Sequence, residues 1–276
     1  MWLTLAETRH SVILERRAKL LSKRTGLKYI AKGTSTHLSP SALIYEAVAR
    51  PTKLFLTEPV VFFFSLWSAF AFGLVFVSTQ SIAQVYAANY RFTATQAGYV
   101  QAALLVGETL GIVAALPQNA WYLRSGRRNA RAPGVPVPEA RLPLSIPASF
   151  VGLCGGLFWY AWSSAHAEVH WTVPAVGLGF MGFGIMIVVH SVVMYLTDSY
   201  PAYAAQAISA EAFAENIFSA FLPLATKRMY SSLGFGWAGS LLGFLAFALS
   251  FAPIVLMLKG GTIRKRSKFM AKAVRD

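Results

Sequence analysis

Of 276 residues, 55% are hydrophobic and only 13% charged, against about 25% charged in ordinary soluble domains, so water is not this chain's main solvent. A formal net charge of +14 would point to nucleic acid in a soluble protein, but the Lys and Arg residues sort by position between apolar runs, which speaks against that partner. Cys154 is the single cysteine, which excludes an intrachain disulfide and a paired-thiol metal site.

The chain opens Met1-Trp2-Leu3-Thr4-Leu5 and turns polar at Glu7, too soon for the apolar region of a signal peptide. Within residues 8–24, Val12, Ile13, Leu14, Ala18, Leu20 and Leu21 fall among charges at a spacing that gives a helix with one apolar and one basic face. Such a helix either lies on the cytoplasmic membrane surface or is a solvated linker. Residues 31–41 are rich in Ser, Thr, Gly and Pro and read as a flexible link. Residues 1–55 together are expected to be a cytoplasmic segment.

Six apolar stretches then follow, expected near 56–79, 97–117, 143–163, 173–195, 204–225 and 237–258. Each matches the roughly 20 residues that a helix needs to cross a hydrocarbon core of about 30 Å. With no strand-like alternation, the fold class is an all-α membrane protein, a six-transmembrane-helix bundle over 56–258. Glu58-Pro59 opens the first span, proline being tolerated in a first helical turn. The connection 118–142, with Gly126, Gly134 and Pro133, Pro136 and Pro138, reads as an irregular cytoplasmic loop. A short outer loop, 164–171, joins the third and fourth spans, and a basic tail, 259–276, ends the chain.

Of the 25 Lys and Arg residues, 22 precede the first span, lie in 118–142 or follow the last span. Only Arg91, Lys227 and Arg228 fall on the other side. The positive-inside rule therefore places both termini in the cytoplasm. Gly107 with Gly111, Gly152 with Gly156, and Gly239 with Gly243 stand four apart, and Gly177, Gly179, Gly182 and Gly184 crowd the fourth span. These spacings predict close helix contacts.

Three carboxyl groups fall inside spans: Glu108, Glu211 and Glu215. An acidic residue in hydrocarbon is costly, so such groups face a bundle interior or a wet cavity. Glu211 and Glu215 share a helix face and, with Asn216 beside them, form a polar patch. Two readings stand: a pair that holds a proton, as proton coupling requires, or a pair hydrated near the headgroups by Tyr203. Glu108 lies nearer mid-span, with Gly107 and Gly111 expected to open space around it. His190 is either a titrating group or an interhelical hydrogen bonder. Asp198 reads as a structural anchor of the turn Asp198-Ser199-Tyr200-Pro201. The expected cavity-lining side chains are Trp67, Phe180 and Tyr195, chosen among many aromatic residues, together with Asn216. HExxH, GxSxG, Walker A and CxxC patterns are absent from the sequence, so a non-enzyme is expected.

Several segments, in order, resemble fungal drug:proton antiporters of the major facilitator superfamily. Glu7-Thr8-Arg9 with Leu14-Glu15-Arg16-Arg17-Ala18 resembles the segment after their sixth helix, although Ala6 stands where they usually have proline. Arg50-Pro51 and Thr57-Glu58-Pro59 resemble the entry to helix seven, and Pro138-Glu139-Ala140-Arg141-Leu142-Pro143 the approach to helix nine. The turn from Asp198 to Ala204 resembles that between helices ten and eleven, and Met229 to Leu242 the start of helix twelve. The resemblance implies the central loop and C-terminal six-helix half of a multidrug or polyamine-type transporter, as a truncated gene product or a fragment of a longer one. It further implies a plasma-membrane location, a proton gradient as energy source without a cofactor or metal, and a small amphipathic or cationic substrate. By that mapping the first and fourth spans line a central cavity, and the second and fifth meet the other half. Expected partners are the lipid bilayer and a second six-helix half or another copy of this chain; nucleic acid is not among them. The alternative is a membrane receptor or regulator that keeps the fold without the flux.

Overall fold

The computed structural model describes residues 10–30, 45–129, 134, 136–267 and 269. Among these no residue is in a strand, and the chain is an all-α membrane protein. The Glu7-Thr8-Arg9 segment, the link at 31–41, Arg131 and the end of the basic tail lie outside the described residues. The chain divides into two compact units, Met1–Ala49 and Arg50–Asp276. The second unit thus begins six residues before the expected boundary at 55/56.

In the first unit the amphipathic pattern forms helix α1, His10–Thr25. Lys19 Nζ reaches Glu15 Oε1 at 2.8 Å one turn back. Gly26, at φ 71°, ends the helix in the left-handed conformation that glycine adopts without a Cβ penalty. Leu20 and Leu21 are exposed.

The second unit opens with α2, Arg50–Thr57. Glu58 is extended, and Pro59 starts α3, Pro59–Tyr90. Arg91 at φ 56° closes α3. Thr93 and Gln96 then form a reciprocal capping box that starts α4, Ala94–Val100. After a turn at Gln101 comes α5, Ala102–Arg128. The helix runs through Pro117 and eleven residues beyond the expected span end, so the first part of the expected irregular loop is helical. A proline costs one backbone hydrogen bond, and here the following turns are held from outside. The Gly134 amide donates to the Gly126 carbonyl at 3.1 Å, and that of Val137 to Ser125 Oγ at 3.0 Å.

A 3₁₀ turn, Pro138–Arg141, leads into the third apolar stretch. That stretch is helical but divided into α6, Ser145–Pro147, a π-helical segment, Ala148–Gly155, and α7, Gly156–Ser163. Next come α8, Thr172–Ser199, then α9, Ala204–Leu249, and α10, Phe251–Arg266. Gly234 interrupts α9 at φ 77°, ψ 167°, a region open essentially to glycine alone.

Contacts fix the directions of these runs. Ser81 meets Tyr160 and Asn89 meets Ser164, so α7 runs with α3. Glu58 meets Tyr200, while Tyr86 meets Trp171, so α8 runs against α3. Along α9, residues 211, 215 and 222 meet Ser68 and Gly73 in rising order, whereas Gly236, Gly239 and Gly243 meet Trp162, Ala161 and Phe158 in falling order. The chain therefore reverses at Gly234. Among the described residues, four apolar helical runs are long enough to cross a membrane, the last being the 63 residues Pro201–Ile263. At about 1.5 Å per residue that run would extend about 95 Å, some three times a hydrocarbon core; the reversal accounts for the excess.

The glycine spacings mark real seams. A Cβ at Gly107 or Gly111 would strike Gly179, Phe183 or Met186, so α5 and α8 touch backbone to backbone. Gly152 and Gly156 meet Gly184, Gly177 and Met181 in the same way. Lipid offers no hydrophobic drive between helices, and close van der Waals approach supplies the attraction instead. Cys154 is buried, a small side chain in the packed core.

Candidate functional site

Glu211 and Glu215 lie one turn apart on α9 and converge on a single hydroxyl of α3. Ser68 Oγ is 2.8 Å from Glu211 Oε1 and 2.7 Å from Glu215 Oε1. Glu211 is 2% exposed and Ser68 wholly buried. The approach is close because α9 presents Ala207, Ala210 and Ala214 on its buried side. A serine hydroxyl has one proton to give and a carboxylate has none. The hydroxyl proton is therefore either shared between the two acceptors or joined by a second proton on a carboxyl group.

Asn216 does not join this cluster. It is exposed and donates its amide to the Ala212 carbonyl of its own helix at 2.7 Å. At 100° per residue it is turned away from the face that Glu215 shares with Glu211. Ser68 escaped the sequence reading. Its signal was the recurrence of Ser65, Ser68, Ser78 and Ser81, all buried in an otherwise apolar helix.

Glu108 is half-buried on α5, with no hydrogen-bond or ion-pair partner among the described residues. The space expected beside it is filled, because the Gly107 and Gly111 seam is occupied by α8. The structure does not bring Glu108 to the Glu211 pair. His190 is half-buried on α8, near the charge of Arg141 rather than near any of the three glutamates.

A second polar cluster forms around Arg141, which the sequence reading treated as a loop cation. Arg141 Nε donates to Asp198 Oδ2 at 2.8 Å and Nη1 to Asn119 Oδ1 at 3.1 Å. Its guanidinium lies 3.7 Å above the Tyr122 ring. Gln118 Nε2 donates to the Arg141 carbonyl and, at 3.4 Å, to Ser191 Oγ. Asp198 is indeed an anchor, but its partner lies 57 residues away. The cluster ties α5, the 3₁₀ turn and α8 together where the apolar runs give way to the basic connection.

Trp67 and Tyr195 are wholly buried around Phe64, with ring centroids 5.6 and 5.0 Å from it. They belong to the core and line neither of the two clefts. Phe180 is 42% exposed, stacks on Trp159 at 5.7 Å and lines an apolar groove of about 780 Å³ with Gly107, Val151 and Phe183. The larger cleft, about 1500 Å³, lies between the start of α3 and α10.

No protein-family model matches the chain, and no solved structure matches it. Curated relatives do. The chain is 36% identical over 267 residues to the MFS transporter cpaT of Aspergillus oryzae, covering 96% of this chain and 53% of that protein. It is 34% identical over 272 residues to the efflux pump radE of Floropilus chiversii, covering 98% and 50%. It is also 33% identical over 267 residues to the major facilitator superfamily multidrug transporter FLU1 of Candida albicans, covering 96% and 43%. These relatives are transporters rather than enzymes. Along nearly all of its length the chain is similar to fungal transporters of the major facilitator superfamily, and it spans about half the length of each.

Proposed function

We propose that this chain is the C-terminal half of a proton-coupled plasma-membrane exporter of small amphipathic or cationic molecules. In this reading it crosses the bilayer six times with both termini in the cytoplasm. The observation that carries it is the Ser68 hydroxyl held between two carboxyl groups at membrane depth. Such a pair shares protons and exchanges them as its surroundings change. Supporting the direction of transport, relatives are named as an efflux pump and a multidrug transporter. Glu211 and Glu215, bridged by Ser68, form the proton site; Glu108 is a third carboxyl at membrane depth. The exposed faces of α5 and of residues 204–233 receive the other half or a second copy of this chain. Alternating access needs two such halves rocking about a common site.

The test is efflux from a drug-sensitised cell that expresses the chain. Tolerance should rise, and Glu211→Gln should abolish the gain while leaving membrane abundance intact. Tolerance that never changes, and is indifferent to both Glu211→Gln and Glu108→Gln, would favour the non-transporting receptor or regulator.

A further inference from the structure

The cleft between α3 and α10 is not explained by proton exchange. One wall runs from Lys53 through Glu58 to Leu66, and the other from Ala248 to Ile263. At about 1.5 Å per residue the second wall is about 22 Å long. This is the depth of one leaflet, half of a bilayer of about 40–45 Å including headgroups. Its volume of about 1500 Å³ exceeds the roughly 300–1,000 Å³ of common small-molecule sites. The deeper walls are apolar, with Phe63, Phe251 and Val255 all exposed to the cleft.

The polar groups gather at one end, where α3 begins and α10 finishes. Glu58 is 5% exposed yet lines the cleft. Among the described residues, Tyr200 is the only side-chain donor to its carboxyl, at 3.1 Å. A carboxylate accepts about four hydrogen bonds, and a buried one is costly without a counter-charge. A cationic group seated in the cleft would supply that counter-charge. Lys53, on the same wall, is exposed and has no ion-pair partner among the described residues. Among the described residues, a buried acid and an exposed base at the polar end of an apolar slot match a zwitterionic headgroup.

We propose that this cleft holds one phospholipid bearing a primary ammonium, with the ammonium on Glu58, the phosphate on Lys53 and the acyl chains along Phe63, Leu66, Phe251 and Val255. A primary ammonium donates up to three hydrogen bonds to the carboxyl oxygens, whereas a quaternary one donates none. Binding at this site does not depend on whether the chain transports anything.

Native mass spectrometry of the purified full chain, titrated separately with phosphatidylethanolamine, phosphatidylcholine, phosphatidylglycerol and dodecyltrimethylammonium, tests this. One phosphatidylethanolamine should be retained in preference to the other three. Glu58→Gln should weaken that adduct about tenfold, the loss of one charge-assisted contact. Lys53→Ala should weaken it to a smaller degree. Equal retention of phosphatidylglycerol, tighter binding of the single-chain cation, or an undiminished adduct in folded Glu58→Gln would overturn the assignment. Where Glu58→Gln fails to fold by circular dichroism, Val255→Trp decides, since it fills the apolar slot from the opposite wall. Loss of the adduct in folded Val255→Trp supports the site, and its persistence refutes it.

Discussion

Removing the Asp198 carboxylate isolates Arg141 in a place that water barely reaches. The two side chains are 9% and 19% exposed and 2.8 Å apart, and breaking a buried pair from one side costs about 3–5 kcal/mol because the other charge is left uncompensated. Two features reduce that figure here. Asn119 still accepts from the guanidinium, and the Tyr122 ring beneath it contributes about 0.5–2 kcal/mol of cation–π attraction. Asp198→Asn is therefore expected to cost about 3 kcal/mol. Arg141→Met should cost a similar amount by stranding Asp198. The double variant Arg141→Met with Asp198→Leu leaves no orphan charge, and should be more stable than the sum of the single losses by about 2 kcal/mol. The assay is unfolding of the purified chain in mixed micelles with rising dodecyl sulfate, followed by the fluorescence of its seven tryptophans. Strict additivity within about 0.5 kcal/mol would refute the reasoning, since groups that do not couple are not a buried pair.

Three further outcomes follow from the packing. Ser68→Ala removes the hydroxyl between Glu211 and Glu215 and should destabilise the chain by about 1–3 kcal/mol, more than Glu211→Gln, whose amide can still pair with Ser68; the reverse order in the same unfolding assay contradicts the shared-hydroxyl geometry. Gly184→Ala would drive its Cβ into the backbone of Leu153 and should cost about 1–3 kcal/mol. Gly98→Ala in α4 has open space around it and should gain about 0.5–1 kcal/mol, so equal effects at the two sites would deny the seam. Gly234→Ala forces a side chain into a conformation that glycine alone tolerates and should cost about 1–3 kcal/mol; unchanged stability would place the chain reversal elsewhere.

The helices were legible because hydrocarbon imposes a length and a composition that few other environments impose. Their ends were less so. Pro117 and the glycines after it read as a loop, yet α5 continues to Arg128 because Gly126 and Ser125 are bonded by the returning chain. Local spacing also placed Glu211 and Glu215 on one face, since one helical turn is a local property. It misplaced Asn216 for the same reason, because adjacency in sequence is 100° apart on a helix. What no local pattern encodes is which distant residue completes a cluster. Ser68 lies 143 residues from Glu211, and Arg141 lies 57 from Asp198. Trp67 and Tyr195 show the same limit, because an aromatic residue within a span suits lipid, cavity or core equally well by composition, and only packing assigns both to the core.

Exposure of large apolar side chains on α5 and on residues 204–233, such as Leu110, Leu116, Phe213, Phe221 and Leu224, does not by itself distinguish a lipid-facing surface from a docking surface, since acyl chains satisfy both. The polar residues on those runs do distinguish them. Asn216 is exposed, and the Glu215 carboxyl is only partly covered, in the middle of an apolar run. An amide or carboxyl left in hydrocarbon costs several kcal/mol, whereas the same groups against a wet cavity or a second protein surface cost little. The strip of 204–233 that carries them is therefore expected to be covered by protein or water, and the neighbouring apolar residues to be covered with it. Replacing Asn216 with leucine separates the cases. On a lipid-facing strip it should raise stability in detergent by removing an amide whose only bond is to its own helix among the described residues. On a docking strip it should leave the isolated chain nearly unchanged and weaken association with the other half or with a second copy, measured as the mass of the solubilised complex.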